Sequence, residues 1–141
     1  MAKVAKKYLV VDPWIIKEAG YHPERGKVSE SVFSLGNEIM GVRGYFEEGC
    51  SSGQFVGSFF NGIFEEEPVN HPVNYKGFPR RFHFMVNSLD WLHTRIRVNG
   101  ENLDLGKCSF RDFERSLDLR EGILHRSFVW QTSRGDIRIC F

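Results

Sequence analysis

The dipeptide Asn99-Gly100 stands between two short alternating segments, and it restricts the fold more tightly than any other pair in the chain. Both residues tolerate positive φ, which a two-residue type I′ hairpin turn demands. Before it, residues 94–98 set Arg95 and Arg97 against Ile96 and Val98, the period of a half-buried strand. After it, Leu103 and Leu105 continue the alternation on a returning strand. Leu124, Phe128 and Trp130 repeat at even spacing, as do Ile137, Ile139 and Phe141, with Ser133, Arg134 and Gly135 as the turn between them.

The first half carries the same signals in shorter pieces. Residues 8–11 form a β-like run stopped by Asp12-Pro13, and residues 14–18 resume it. Residues 19–27, with Gly20, Pro23 and Gly26, are expected to be a loop. Residues 32–35, 39–42 and 54–60 are further short apolar pieces. Residues 65–81, with three prolines and the run Glu65-Glu66-Glu67, are expected to be a long exposed loop. Fourteen glycines and 13 phenylalanines agree with β structure rich in turns. The pattern predicts roughly eight to ten short strands and no helix, an all-β, large antiparallel sandwich or a barrel. With 141 residues the chain fits one domain. Phe141 falls inside an alternating strand, from which we expect the domain to continue beyond residue 141.

Charge and motifs narrow the function. A net charge of +1 argues against a nucleic-acid partner held by bulk charge. No stretch approaches the about 20 apolar residues of a membrane span, and the start of the chain is too short in apolar residues for a signal peptide. Cys50, Cys108 and Cys140 lie far apart without metal spacing, and reduced thiols in the cytoplasm are the expectation. His22, His71, His83, His93 and His125 show no ligand spacing, so no metal is expected. Phosphate-loop and nucleophile-elbow motifs are missing from the sequence.

The acidic residues are the remaining catalytic candidates. A glycosidase needs two carboxyls flanking one bond. Glu47 and Glu48 are adjacent and would point to opposite faces of a strand, a poor pair by themselves. The glutamate triplet reads as solvated loop charge. Trp14, Trp91 and Trp130 are expected to be core, with a sugar-stacking platform as the alternative. Arg43 and Arg120 sit in apolar or turn-rich surroundings, in GVRG and LDLREGIL, and are expected to pair with carboxylates, Asp118 and Glu121 being the local choices.

Four stretches taken together are specific: WIIKEAGY at 14–21, VFSLGNEIMGVRGYFEE at 32–48, WLHTRIRVNGENLDL at 91–105 and RSLDLREGILHRSFVW at 115–130. In order and spacing they resemble the N-terminal domain of glycoside hydrolase family 65, which contains maltose, trehalose, kojibiose, nigerose and glucosylglycerol phosphorylases. The chain departs from many members in reading Gly36-Asn37-Glu38 where they have GNG. The neighbouring IMGVRGYFEEG and SFFNGIFEE resemble the kojibiose and glucosylglycerol side of the family.

The resemblance implies that residues 1–141 are part of a non-catalytic β-sandwich. It implies a separate (α/α)6 barrel that carries the catalytic glutamate and the phosphate site, so no catalytic residue is expected in this chain. The family reaction is inverting phosphorolysis of an α-linked glucosyl disaccharide to β-glucose 1-phosphate, with inorganic phosphate as co-substrate and no cofactor. The expected partners are the protein's own barrel and a second copy in a homodimer. Neither nucleic acid nor membrane is expected. In this frame the glycines of residues 34–49 allow sharp turns and close backbone approach, and Asn37 suits a left-handed position. The expectation is that this segment turns at the sandwich edge and presents Arg43 to the barrel or a partner, with Asn37 and Arg120 as further interface residues. The alternatives are a stand-alone carbohydrate-binding sandwich using Trp91, and an enzyme complete in itself that draws on Glu47, Glu48, Asp118 and Glu121.

Overall fold

A computed structural model of the chain describes residues 8–11, 13–70 and 75–141. The basic start of the chain, Asp12 and His71 lie outside the described residues. Among those described, the elements run in order β1 (Leu9–Val11), β2 (Ile15–Ala19), a 3₁₀ turn at Pro23–Arg25, α1 (Gly26–Val32), β3 (Leu35–Gly36), β4 (Met40–Val42), β5 (Ser58–Phe60), β6 (Phe64–Pro68), β7 (Arg81–Met85), β8 (Arg97–Val98), β9 (Glu101–Asn102), β10 (Ser109–Asp118), β11 (Ile123–Thr132) and β12 (Gly135–Cys140).

Every pairing is antiparallel. The main sheet has the order β1-β2-β10-β11-β12; β3-β4-β5 form a second sheet, and β6-β7 and β8-β9 are two-stranded ribbons. The all-β antiparallel sandwich expected from the alternation is the observed class. Asn99 and Gly100 both take positive φ, 52° and 87°, as the β8–β9 turn requires. Residues 15–19, 40–42, 123–132 and 135–140 form strands where the apolar pattern placed them.

Three expectations are corrected. Residues 26–32 are a helix, entered through Pro23 in a 3₁₀ turn where proline's missing N–H costs nothing. Residues 64–68 and 81–85 pair as a ribbon, so the glutamate triplet lies on a strand and not in a loop. Residues 109–118 form a ten-residue strand that alternation did not predict, because a bulge between Arg111 and Glu114 breaks its period. Asp112 sits at φ 54° in that bulge. Its effect is to send both Phe110 and Phe113, three residues apart, into the same core.

That core lies on one face of the main sheet. Phe113, Phe128 and Trp130 rise from β10 and β11, and Phe46, Leu103 and Leu105 close over them from the facing loops. Tyr21, Phe110, Ile137 and Ile139 pack around this cluster. Aromatic rings meet edge-on, as Tyr21 on Phe113 at 5.5 Å and Phe46 on Phe113 at 5.9 Å. Four phenylalanines, Phe46, Phe110, Phe113 and Phe128, are thus gathered in one core, and Trp130 belongs to it as expected.

Candidate functional site

The apolar face of the main sheet is crossed by a row of charge. Glu18, Arg115 and Arg126 stand opposite one another on β2, β10 and β11. Arg115 Nε donates to Glu18 Oε2 at 2.5 Å, and both side chains are buried. Ser29 of α1 donates to the other carboxylate oxygen at 3.1 Å, and Arg115 Nη1 donates to the Gly44 carbonyl at 3.1 Å. The guanidinium also lies 4.4 Å over the Phe33 ring. Burial pushes the Arg115 guanidinium down from its usual value, and Glu18 opposes the shift. One strand, one helix and one glycine-flanked loop thus converge on a single cation.

Arg126 repeats the arrangement on the next strand. Its Nη2 donates to Glu47 Oε2 at 2.8 Å and to Glu48 Oε2 at 2.5 Å. The expected divergence of Glu47 and Glu48 is corrected, because they lie in a turn rather than a strand and both reach one guanidinium. Burial pushes the Glu48 carboxyl above the usual glutamate range, with Arg126 opposing. Glu48 Oε1 and Arg126 Nε are buried without a hydrogen-bond partner. These carboxylates are committed to an internal cation, which is not the geometry of an acid and a base flanking a sugar bond.

Arg43 turns inward. Its guanidinium donates to the carbonyls of Phe55 at 3.2 Å and Lys27 at 3.3 Å and to Ser31 Oγ at 3.0 Å, and it lies 3.6 Å from Glu30. It pairs with a carboxylate as expected, but with Glu30 of α1 and not with Asp118 or Glu121. Gly44 beside it lets the chain press against Phe33: a Cβ there would stand 2.5 Å from the Phe33 carbonyl oxygen. The glycine-punctuated segment therefore docks helix α1 onto the sheets.

Asn37 does not take the left-handed conformation expected of it; the positive-φ residues other than glycine are Asn99 and Asp112 among those described. Its Oδ1 instead accepts from the backbone N–H of Ile39 and Met40, both at 2.9 Å, closing the β3–β4 turn through its side chain. Asn37 and Trp91 line one open groove of about 340 Å³, together with Leu35, Met40 and Gly122. Trp91 is half exposed, not core. Arg120 makes no ion pair with Asp118 or Glu121. Asp118 Oδ1 accepts from the backbone N–H of both residues 120 and 121, holding the β10–β11 turn, while the Arg120 guanidinium stacks 4.6 Å over Trp14.

Sequence reasoning missed Glu18, Glu30, Arg115 and Arg126, four of the five buried charged residues among those described, the fifth being Glu48. The alternation of β11, with Arg126 in phase with Phe128 and Trp130, was the available signal for one of them. Among the described residues no cluster of His, Cys, Asp and Glu could hold a metal, and no helix is long and apolar enough to cross a membrane.

Residues 16–141 match the model of the N-terminal domain of glycosyl hydrolase family 65. The chain is 37% identical over 126 residues to a kojibiose phosphorylase of Thermoanaerobacter brockii and 32% identical over 136 residues to a maltose phosphorylase of Bacillus subtilis. These alignments take in 89% and 96% of the chain, but only 15% and 18% of those proteins. Among solved structures, a putative kojibiose phosphorylase from the human microbiome superposes with a TM-score of 0.83 at 44% identity, covering 97% of this chain and 18% of that one.

Proposed function

This chain belongs to glycosyl hydrolase family 65 as an N-terminal domain, and from that premise we propose that it is the non-catalytic sandwich of an inverting α-glucoside phosphorylase. In that protein a separate (α/α)6 barrel would hold the catalytic glutamate and the phosphate site. The reaction would convert an α-linked glucosyl disaccharide and phosphate to β-glucose 1-phosphate and a free sugar, in the cytoplasm, without a cofactor. The sandwich would support the barrel and take part in a homodimer. Neither nucleic acid nor membrane would be a partner. Kojibiose is the disaccharide we favour on two relatives at 37% and 44% identity; two further kojibiose phosphorylases, at 32% and 28%, stand level with or below the maltose enzyme at 32%.

The observation that carries this reading is that the chain's adjacent carboxylates, the buried Glu48 and the partly exposed Glu47, both pair with a buried cation. Glu47 and Glu48 are bound to Arg126 inside the sandwich, so the domain spends them on its own architecture. The rim that would meet the barrel is the β3–β4 turn with Asn37, backed by Arg43, and the β10–β11 turn with Arg120. Gly122 of the second turn lines the same groove as Asn37.

A chimera tests the proposal. The chain replaces the matching segment of the Thermoanaerobacter brockii kojibiose phosphorylase, and phosphate-dependent release of glucose 1-phosphate from kojibiose is measured. Retained phosphorolysis, with none from the 141-residue chain alone, is the expected result. A folded chimera without activity, or turnover by the chain alone, would overturn it. Saturable binding of kojibiose by the isolated chain, quenched at Trp91, would favour a carbohydrate-binding module instead.

A further inference from the structure

We propose that the cleft between residues 48–51, 93–97 and 102–104 is a binding site for a phosphorylated sugar. Its volume is about 620 Å³, within the ~300–1,000 Å³ of small-molecule sites and far larger than a bare phosphate needs. The site stands on this chain's own side chains.

The argument rests on unmatched charge. Glu48 and Asp104 line the cleft, but each is already engaged from behind. Glu48 is bound to Arg126 through Oε2, while its Oε1 has no hydrogen-bond partner. Asp104 Oδ1 accepts from the backbone N–H of Ser51 and Gly106, both at 2.9 Å, and Oδ2 lies 3.6 Å from Lys107. Arg95 and Arg97 line the same cleft, two residues apart on an extended segment. Among the described residues neither has a carboxylate partner, a state shared with Arg25, Arg80, Arg120, Arg134 and Arg138, while Arg43, Arg81, Arg111, Arg115 and Arg126 are paired. Arg95 and Arg97 are set apart by lining one cleft together. Arg97 is held by its Nε on the Gly100 carbonyl at 3.2 Å, which leaves its terminal nitrogens for a ligand. Two guanidinium groups with open forks match the oxygens of a phosphate.

His93 adds an imidazole to the lining of the cleft. Its Nδ1 lies 3.8 Å from Asp90, and Asp90 is anchored by the buried Tyr45, whose hydroxyl donates to it at 2.5 Å. The wall is fixed by backbone bonds, Thr94 N–H to the Glu47 carbonyl at 2.8 Å and Leu103 N–H to the Ile96 carbonyl at 2.9 Å. The rest of the ligand meets polar groups: the Asn102 amide and the free acceptor capacity of Asp104 suit hydroxyls. A nucleotide is disfavoured, since no Phe, Tyr or Trp lines the cleft to stack a base.

Calorimetric titration of the 141-residue chain with glucose 1-phosphate, inorganic phosphate and glucose tests the proposal. Saturable binding of glucose 1-phosphate is expected, at least about tenfold tighter than either fragment. The double variant Arg95→Ala/Arg97→Ala should weaken it by about tenfold or more, and Arg95→Lys/Arg97→Lys, which keeps the charge, should lose less. Both arginines are exposed, and thermal melting confirms that the variants remain folded. Phosphate binding as tightly as the sugar phosphate overturns the sugar half, and glucose binding as tightly overturns the anion half. No saturable binding, or undiminished binding by the alanine variant, overturns the whole.

Discussion

Arg115 and Arg126 stand directly opposite each other on β10 and β11, both buried, with their guanidinium groups 5.4 and 4.9 Å from the Phe46 ring. Like charges facing across a strand pair repel. The sandwich tolerates them because each has its own carboxylate, Glu18 for one and Glu47 with Glu48 for the other, and because one aromatic ring lies near both. A lost partner should therefore be felt strongly. Arg115→Met leaves Glu18 buried and unpaired and should cost about 3–5 kcal/mol in denaturant unfolding. Adding Glu18→Leu should recover most of that loss. A double variant no more stable than the single would show that the arginine acts through other contacts, such as its bond to Gly44.

The raised Glu48 carboxyl gives a pH signature with a definite sign. Below the ordinary glutamate range, near pH 4.5, both states are protonated and the group contributes nothing. As pH rises from there, the unfolded chain releases its proton first while folded Glu48 keeps one. The folded state then binds more protons, so this contribution to stability falls with rising pH until the buried group ionises too. Glu48→Gln keeps an acceptor for Arg126 and removes the titration. The stability of the wild type minus that of the variant should therefore fall as pH is raised from 4.5 towards neutrality. A flat difference curve would place the proton elsewhere.

Two glycines of residues 26–44 should respond in opposite ways to the same methyl group. At Gly44 an added Cβ would meet the Phe33 carbonyl carbon at 2.8 Å and its oxygen at 2.5 Å, all backbone atoms. Gly44→Ala should cost about 1–3 kcal/mol or more. Gly26 opens α1 in right-handed helical geometry with nothing within 4 Å of a new Cβ. Gly26→Ala should stabilise by about 0.4–1 kcal/mol. Thermal melting of the two variants checks both, and equal effects would contradict the tight approach of residue 44 to Phe33.

The β6–β7 ribbon exposes Phe64, Phe82, Phe84 and Met85. Phe82 and Phe84 share one face of the ribbon, and Phe64 and Met85 the other. A two-stranded ribbon is marginal in water by itself, and exposed apolar surface usually marks an interface. The chain should self-associate as its concentration rises. Phe82→Thr/Phe84→Thr should reduce that association in light scattering while leaving the melting temperature nearly unchanged. A wild-type chain that stays monomeric at high concentration would remove the ribbon as a contact surface.

Legibility in the sequence followed local regularity. The β8–β9 turn was readable because Asn99-Gly100 carries its own backbone preference, and β11 and β12 because their side chains alternate without interruption. β10 was hidden by a bulge that sets Phe110 and Phe113 out of phase. Helix α1 was hidden because Gly26 and Val32 are poor helix formers, and its place is secured by Arg43 and Gly44 from the next segment. The candidate residues fared by the range of their contacts. Asn37 was recognised as a turn residue, but its means, a side-chain acceptor, was not. The partners of Arg115 and Arg126 lie 97, 79 and 78 residues away, beyond any pattern in a window of sequence.

That separation sets an order of events during synthesis. β2 lies between β1 and β10 in the main sheet, so one of its two neighbours arrives only when residues 109–118 have left the ribosome. Until then Glu18 has no arginine, Phe46 has no Phe113 to cover, and the early segments wait as half-assembled pieces. Contacts this distant slow the search for the native state. The nascent domain should therefore acquire protease resistance late and in one step, when the β10–β11 hairpin emerges and clamps the first strands into place.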